Sequence, residues 1–186
     1  MTFQRSRKVY DEEMLYQYAI GALGRKMRAV AELKRLMRER VKEQPHAELL
    51  VDVVIARLKE QKYLSDSNYA ETYTRYRKDN EKFGRMRVVQ DLKAKGVHGD
   101  IIEKTVGAAY NDVNEEQLAR QFLQRKRLKK PADQKQAARV FRTLARAGFT
   151  SRVIFRILKT WDVDDETLTA LESEAVETPD TTPRTE

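Results

Sequence analysis

No cysteine occurs in the 186 residues, so disulfides and thiolate catalysis are excluded and the chain suits a reducing cytosol. Histidine occurs twice, at His46 and His98, without metal-ligand spacing between them. Glycine and proline number only 7 and 4, and the glycines fall at segment ends. Neither a Walker-type loop nor a dinucleotide fingerprint can be assembled from them. Strand-like alternation is hard to find, and no apolar run approaches membrane-spanning length. Met1 to Tyr10 is polar and basic and lacks the apolar core of a signal sequence. Carboxylate pairs such as Glu115-Glu116 and Asp164-Asp165 read as helix-start or tail charges. These absences predict an all-α, cytoplasmic chain that is not an enzyme and holds neither metal nor cofactor.

What is present is charge. Asp, Glu, Lys and Arg make 35% of the chain against 40% apolar residues, and the net charge is +8. That average hides a split. Residues 162–186 hold nine acids and one base, Arg184, leaving 36 bases against 20 acids in residues 1–161, a net of +16. So basic a body points to a polyanion or an acidic protein surface. The acidic tail, tethered to it, is expected either to compete with such a partner or only to aid solubility.

The chain also repeats itself. Leu92-Lys93-Ala94-Lys95-Gly96-Val97, followed by Ile101-Ile102 and Val106, matches Leu144-Ala145-Arg146-Ala147-Gly148-Phe149, followed by Val153-Ile154 and Leu158, at a displacement of 52 residues. Each copy is an amphipathic helix, a glycine able to end it in a left-handed conformation, and a second apolar-periodic segment. A weaker copy aligns Leu33, Leu36 and Met37 with Val89, Leu92 and Lys93, and places Arg40 at the glycine position. A period near 50 residues argues for stacked helical modules.

The first helix is expected over Asp11–Ala22, with Leu15, Tyr18, Ala19 and Ala22 as its stripe and Gly21 and Gly24 weakening its end. A second follows over Met27–Val41. Pro45 suits the first turn of a third, with Leu50, Val53, Val54 and Leu58 inward. Ser65 or Asp66 caps the helix carrying Tyr69, Ala70, Tyr73 and Tyr76. Val88, Val89 and Leu92 mark the next, and Asp100 with Glu103 resembles a capping box for its successor. Leu118, Ala119 and Phe122 belong to the helix before Pro131. Thr150 or Ser151 caps the last stripe: Val153, Ile154, Ile157, Leu158 and Trp161. The pattern allows a short helix near Leu168 and Leu171, with disorder expected beyond about Glu174.

The bases are ordered. Lys135, Arg139, Arg142 and Arg146 fall at i, i+4, i+7 and i+11, a stripe along one helix, with Ala138, Phe141, Leu144 and Ala145 on the other side. The equivalent helix of the middle module offers Arg85, Arg87, Lys93 and Lys95, and the first module Arg25, Lys26, Arg28, Arg35 and Arg38. These are the candidate DNA-contacting residues; stacked second helices would join them into one basic surface. The alternative is an ordinary solvated helix face. Tyr69, Tyr73 and Tyr76 fit either a base-stacking platform or a core stripe. Val88 to Val106 also has the form of a helix-turn-helix.

Tyr63-Leu64-Ser65-Asp66-Ser67-Asn68-Tyr69-Ala70 resembles the Gly-Tyr-Leu-Asp-Asp-x-x-Tyr/Phe-Ala junction of the RecX family, regulators of the bacterial RecA recombinase. Phe83-Gly84-Arg85 with Leu92-x-x-Lys95-Gly96-Val97 is similar to the family's middle module, and Arg25-Lys26 with Ala31-Glu32-Leu33-x-x-Leu36 to its first. The departures are Lys62 for the glycine before Tyr63, Ser65 for an Asp, Arg40 where a glycine is common, and an enlarged loop at Gln44–Glu48. The resemblance covers roughly residues 11–160.

Repeat and resemblance together predict an elongated all-α array: a flexible N-terminus over 1–10, three-helix modules over 11–64, 65–111 and 112–161, and an acidic, mostly disordered tail over 162–186. The resemblance implies a non-enzymatic modulator that lodges in RecA filaments on single-stranded DNA and inhibits recombinase, ATPase and coprotease activities. The expected partners are that filament and single-stranded DNA, with the chain monomeric and no membrane involved. A stand-alone DNA-binding protein with helix-turn-helix-like modules is the alternative.

Overall fold

The computed structural model describes residues 9–177, which form ten α-helices and, among the described residues, no strand. Their ranges are α1 Glu12–Arg25, α2 Val30–Val41, α3 Ala47–Glu60, α4 Asp66–Asp79, α5 Arg85–Ala94, α6 Gly99–Tyr110, α7 Glu115–Arg125, α8 Gln134–Arg146, α9 Ser151–Thr160 and α10 Asp165–Glu177. By packing, the chain forms two compact units. Among the described residues, one holds 9–73 with Asp91–Thr105; the other holds Thr74–Gln90 and 106–177.

The first unit is built on α1, α2 and α3. Asp11 caps α1, its carboxylate accepting the Met14 N–H at 2.8 Å. The inward stripe is Leu15, Tyr16, Ala19 and Ala22, so Tyr16 takes the place expected for Tyr18. Gly21 and Gly24 do not end the helix, which continues to Arg25; the stripe outweighs their low helix propensity. Pro45 lies ahead of α3, whose N-cap is His46. The buried set of α3 is Val51, Val54, Ile55 and Leu58, while Val53 is exposed, one position round from the expected stripe. These side chains and those of α2 (Val30, Leu33, Met37, Val41) form one core with Leu64. The α2–α3 loop is tied down by Gln44, whose side-chain amide exchanges two hydrogen bonds with the Tyr10 backbone at 2.8 and 2.9 Å.

In the second unit α7 packs on α9, α8 on α9, and α10 on both α8 and α9. Leu118, Phe122, Val140, Leu144, Ile154, Ile157 and Leu158 fill the interior. Phe122 sits between Phe83, with ring centroids 5.8 Å apart, and Phe149, at 6.0 Å. The segment around Leu168 and Leu171 is α10, which extends beyond the expected Glu174 boundary; Asp164 caps it, accepting the Thr167 N–H at 2.7 Å. That bond holds the Asp164 carboxyl below its usual range. The expectation of a flexible N-terminus before residue 9 and of disorder after residue 177 lies outside the described residues.

Several helices end alike. After α3, α5, α7, α8 and α9 the chain turns left-handed at Lys62 (φ 62°), Gly96 (75°), Arg127 (54°), Gly148 (87°) and Asp162 (52°). At each, the next N–H reaches back five residues, as in Tyr63 N–H to Leu58 O and Val97 N–H to Leu92 O. This is the Schellman termination. Lys62 holds a left-handed conformation that glycine adopts without strain, and Ser65 caps α4 by accepting the Asn68 N–H at 3.3 Å. Asp100 lies in the first turn of α6, not at a cap. Burial pairs Leu33 and Met37 with Val88 and Leu92, a displacement of 55 residues; Val41, not Arg40, then aligns with Gly96.

Candidate nucleic-acid interface

Helix α8 has no acid among its 13 residues. Its buried face is Ala137, Val140, Phe141 and Leu144, with Ala145 exposed, one step round from the expected Ala138 and Ala145. Lys135, Arg139, Arg142 and Arg146 are all exposed. At about 1.5 Å per residue they extend over roughly 16 Å. Ion pairs of this unit engage Lys78 with Asp79, Arg120 and Arg156 with Glu116, Arg125 with Glu81, and Lys130 with Asp162. Among the described residues no carboxylate pairs with the four bases of α8.

The C-terminus of α8 docks on the N-terminus of α5 through backbone. Gly84 N–H donates to Ala147 O at 2.8 Å, and Met86 N–H to Gly148 O at 3.3 Å. Two carbonyls that a helix end leaves unpaired thus satisfy two amides that a helix start leaves unpaired. A Cβ on Gly84 would lie 2.5 Å from the Gly148 carbonyl carbon, and one on Gly148 would lie 2.6 Å from Arg87 Cβ. Buried Tyr110 supports the joint by donating its hydroxyl to Phe83 O at 2.8 Å, and burial raises its pKa. Because Arg146 precedes Ala147 and Arg85 follows Gly84, the joint gathers these two exposed bases. The first turn of α5 holds Arg85 and Arg87 and no acid, the reverse of what a helix dipole favours.

The first unit has a corresponding contact. A Cβ on Gly96 would lie 2.5 Å from Ala31 Cβ at the start of α2. Arg25, Lys26, Arg35 and Lys93 are exposed there, and Arg28 is half-buried. Lys95 is engaged, 3.1 Å from Glu32 and 5.6 Å from the Tyr73 ring. Burial works to raise the Glu32 pKa, but the hydrogen bonds from Lys95 and the Ala29 amide, with the charges of Lys95 and Lys26, hold it below the usual value. Val30 N–H donates to Asp66 at 2.8 Å. Two acids therefore face this cluster, whereas none occupies the start of α5.

The basic residues do not recur in register. At the 52-residue displacement Arg139 falls on Arg87, but Lys135, Arg142 and Arg146 fall on Phe83, Gln90 and Ala94. Tyr69 is buried and stacks on half-buried Tyr73, which donates to Asp91 at 2.9 Å; of the three only Tyr76 is exposed. The exposed face of α6 carries Asp100, Glu103 and Lys104, unsuited to a major groove. Arg152 and Lys159 of α9 are exposed bases absent from the sequence-based set; their i, i+7 spacing on an expected helix was the available signal. Among the described residues no cluster of His, Asp and Glu can hold a metal ion, and no helix is long and apolar enough to cross a membrane.

Residues 65–106 match the family profile described as RecX, second three-helix domain. A regulatory protein RecX of Deinococcus radiodurans is 35% identical over 152 residues, covering 80% of this chain and 69% of that protein. One of Pseudomonas putida is 30% identical over 148 residues, covering 79% of this chain and 90% of that protein. Against one of Oceanobacillus iheyensis, 26% identical, the chain spans little over half of the relative's length, 55%. A crystal structure of regulatory protein RecX has the same fold, with TM-score 0.64 and 20% identity over 80% of this chain and 71% of that one. RecX from Lactobacillus salivarius has it too, with TM-score 0.61 and 21% identity over 81% of this chain and 96% of that one. The chain belongs to the RecX family of regulatory proteins.

Proposed function

We propose that this regulator acts in the cytoplasm on the RecA recombinase, binding its filament on single-stranded DNA and lowering recombinase, ATPase and coprotease activities without chemistry of its own. Family membership supports the regulatory part of the reading. The stripe of α8 carries the DNA part: four exposed cations without an acidic neighbour on their helix form a surface whose strongest ligand is a row of phosphates. Arg85 and Arg146 at the α8–α5 joint add to it, and the other unit has exposed bases of its own, Arg25, Lys26, Arg35 and Lys93. Arg87, Arg28 and Lys95 are half-buried and support the surface more than they contact the ligand.

Titrating the protein into RecA ATPase on single-stranded DNA tests the reading. Inhibition is expected at substoichiometric protein; unchanged ATPase at equimolar protein in low salt refutes it. Stand-alone DNA binding remains the second reading, favoured by exposed Arg152 and Lys159 on α9. It predicts salt-dependent DNA binding without RecA and no filament disassembly at concentrations where free DNA is unbound.

A further inference from the structure

Large apolar side chains in the open are few, and two share a setting. Met86 is 52% exposed and stands between Arg85 and Arg87; Met27 is 44% exposed and stands between Lys26 and Arg28. Each lies at the entrance to a second helix, Met86 in the first turn of α5 and Met27 three residues before α2. Each entrance also receives the glycine turn of a later helix, Gly148 against Arg87 and Gly96 against Ala31. The arrangement arises separately in the two units. Burial explains neither methionine. Met37, by contrast, is fully buried.

We infer that Met86 and Met27 each lie against an unstacked base of single-stranded DNA while the exposed cation before each, Arg85 or Lys26, holds its phosphate. This rests on the DNA-binding reading above and supplies what phosphate contacts lack, a reason to prefer bases that are open. A thioether is flexible and polarisable and packs on an aromatic face whichever base presents it, so the contact is independent of sequence. The Met86 site is the stronger, because the Met86 N–H bonds the turn that follows Arg146, and neither α8 nor the first turn of α5 carries an acid. Glu32 and Asp66 temper the Met27 site. In a duplex the base faces are stacked away, so the contact is lost.

The test uses the full chain with a fluorescent oligothymidylate, an abasic oligomer of equal length and a duplex. Met86→Ala should weaken oligothymidylate binding about fivefold or more, leaving abasic and duplex affinities and the salt slope unchanged. Met27→Ala should act in the same direction but less, and Met86→Leu should retain most of the affinity. Arg85→Gln should instead lower all three affinities and flatten the slope. Oligothymidylate affinities within twofold of wild type for both alanine variants overturn the inference, as does an equal loss on the abasic oligomer. If Met86→Ala weakens filament inhibition while leaving oligothymidylate binding intact, the methionine faces protein, and the inference fails while the proposed function stands. Wild-type protein that binds neither oligothymidylate nor filament overturns both.

Discussion

Replacing Gly148 by alanine tests how the second unit is joined. At φ +87° a residue with a Cβ costs about 1–2 kcal/mol. The new methyl would also meet the backbone of α5, 2.9 Å from Arg87 Cα, and the Arg87 Cβ at 2.6 Å. Backbone cannot rotate away, so the α8 turn must lift off α5. That strains or breaks the bonds from Gly84 and Met86 to Ala147 and Gly148, each contributing about 1 kcal/mol. The total is roughly 3–4 kcal/mol, a large part of an ordinary domain's 5–15.

Gly96→Ala makes the comparison. Its φ of +75° carries the same strain, but its one close neighbour is the methyl of Ala31. It should cost about 2 kcal/mol, and Ala31→Gly should restore part of the loss. Urea melts followed by circular dichroism measure both. A Gly148→Ala loss no larger than that of Gly96→Ala, or rescue by truncating Arg87, refutes the backbone joint.

Lys62→Gly and Arg127→Gly should each stabilise by about 0.5–1 kcal/mol, since both residues are exposed and left-handed and glycine removes the strain; thermal melts report it. Replacing Arg139, Arg142 and Arg146 together by Gln should leave helicity intact and flatten the log–log salt dependence of DNA binding by roughly 2–3 units; an unchanged slope at normal affinity makes the face merely solvated. Because folding lowers the Glu32 pKa, its contribution is complete above the ordinary carboxylate range near 4.3 and fades as pH falls through the lowered value. Glu32→Gln should therefore flatten the acid limb of the stability–pH curve, which melts between pH 3 and 6 measure.

Periodicity located the helices because most are amphipathic, and the glycine repeat located two of their ends. It failed where the pattern has no single period. In α3, Leu49 to Ala56 is apolar on every side except at Asp52, so the buried register was set by packing and Leu49 and Val53 came out exposed. Left-handed ends at Lys62, Arg127 and Asp162 carry no sequence mark, since the Schellman bonds are all main-chain. The α8 stripe was legible in outline, its bases being spaced by helical turns. What gathers Arg146 and Arg85 was not legible, because it is a pair of amide–carbonyl bonds between residues more than 60 apart.

That main-chain joint has a consequence for how such chains diverge. It asks little of its side chains beyond two positions that carry none and the Tyr110 hydroxyl beneath. Exposed residues around it, such as Arg85 and Arg146, can drift in size, charge or polarity without touching its main-chain bonds, whereas buried Tyr110 is held by its bond to Phe83 O. Solved relatives that share about one residue in five with this chain keep its fold, as a connector of this kind permits. The joint is also where chains are interchangeable. A hybrid spliced to keep both glycines should inherit the binding face of one parent on the framework of the other.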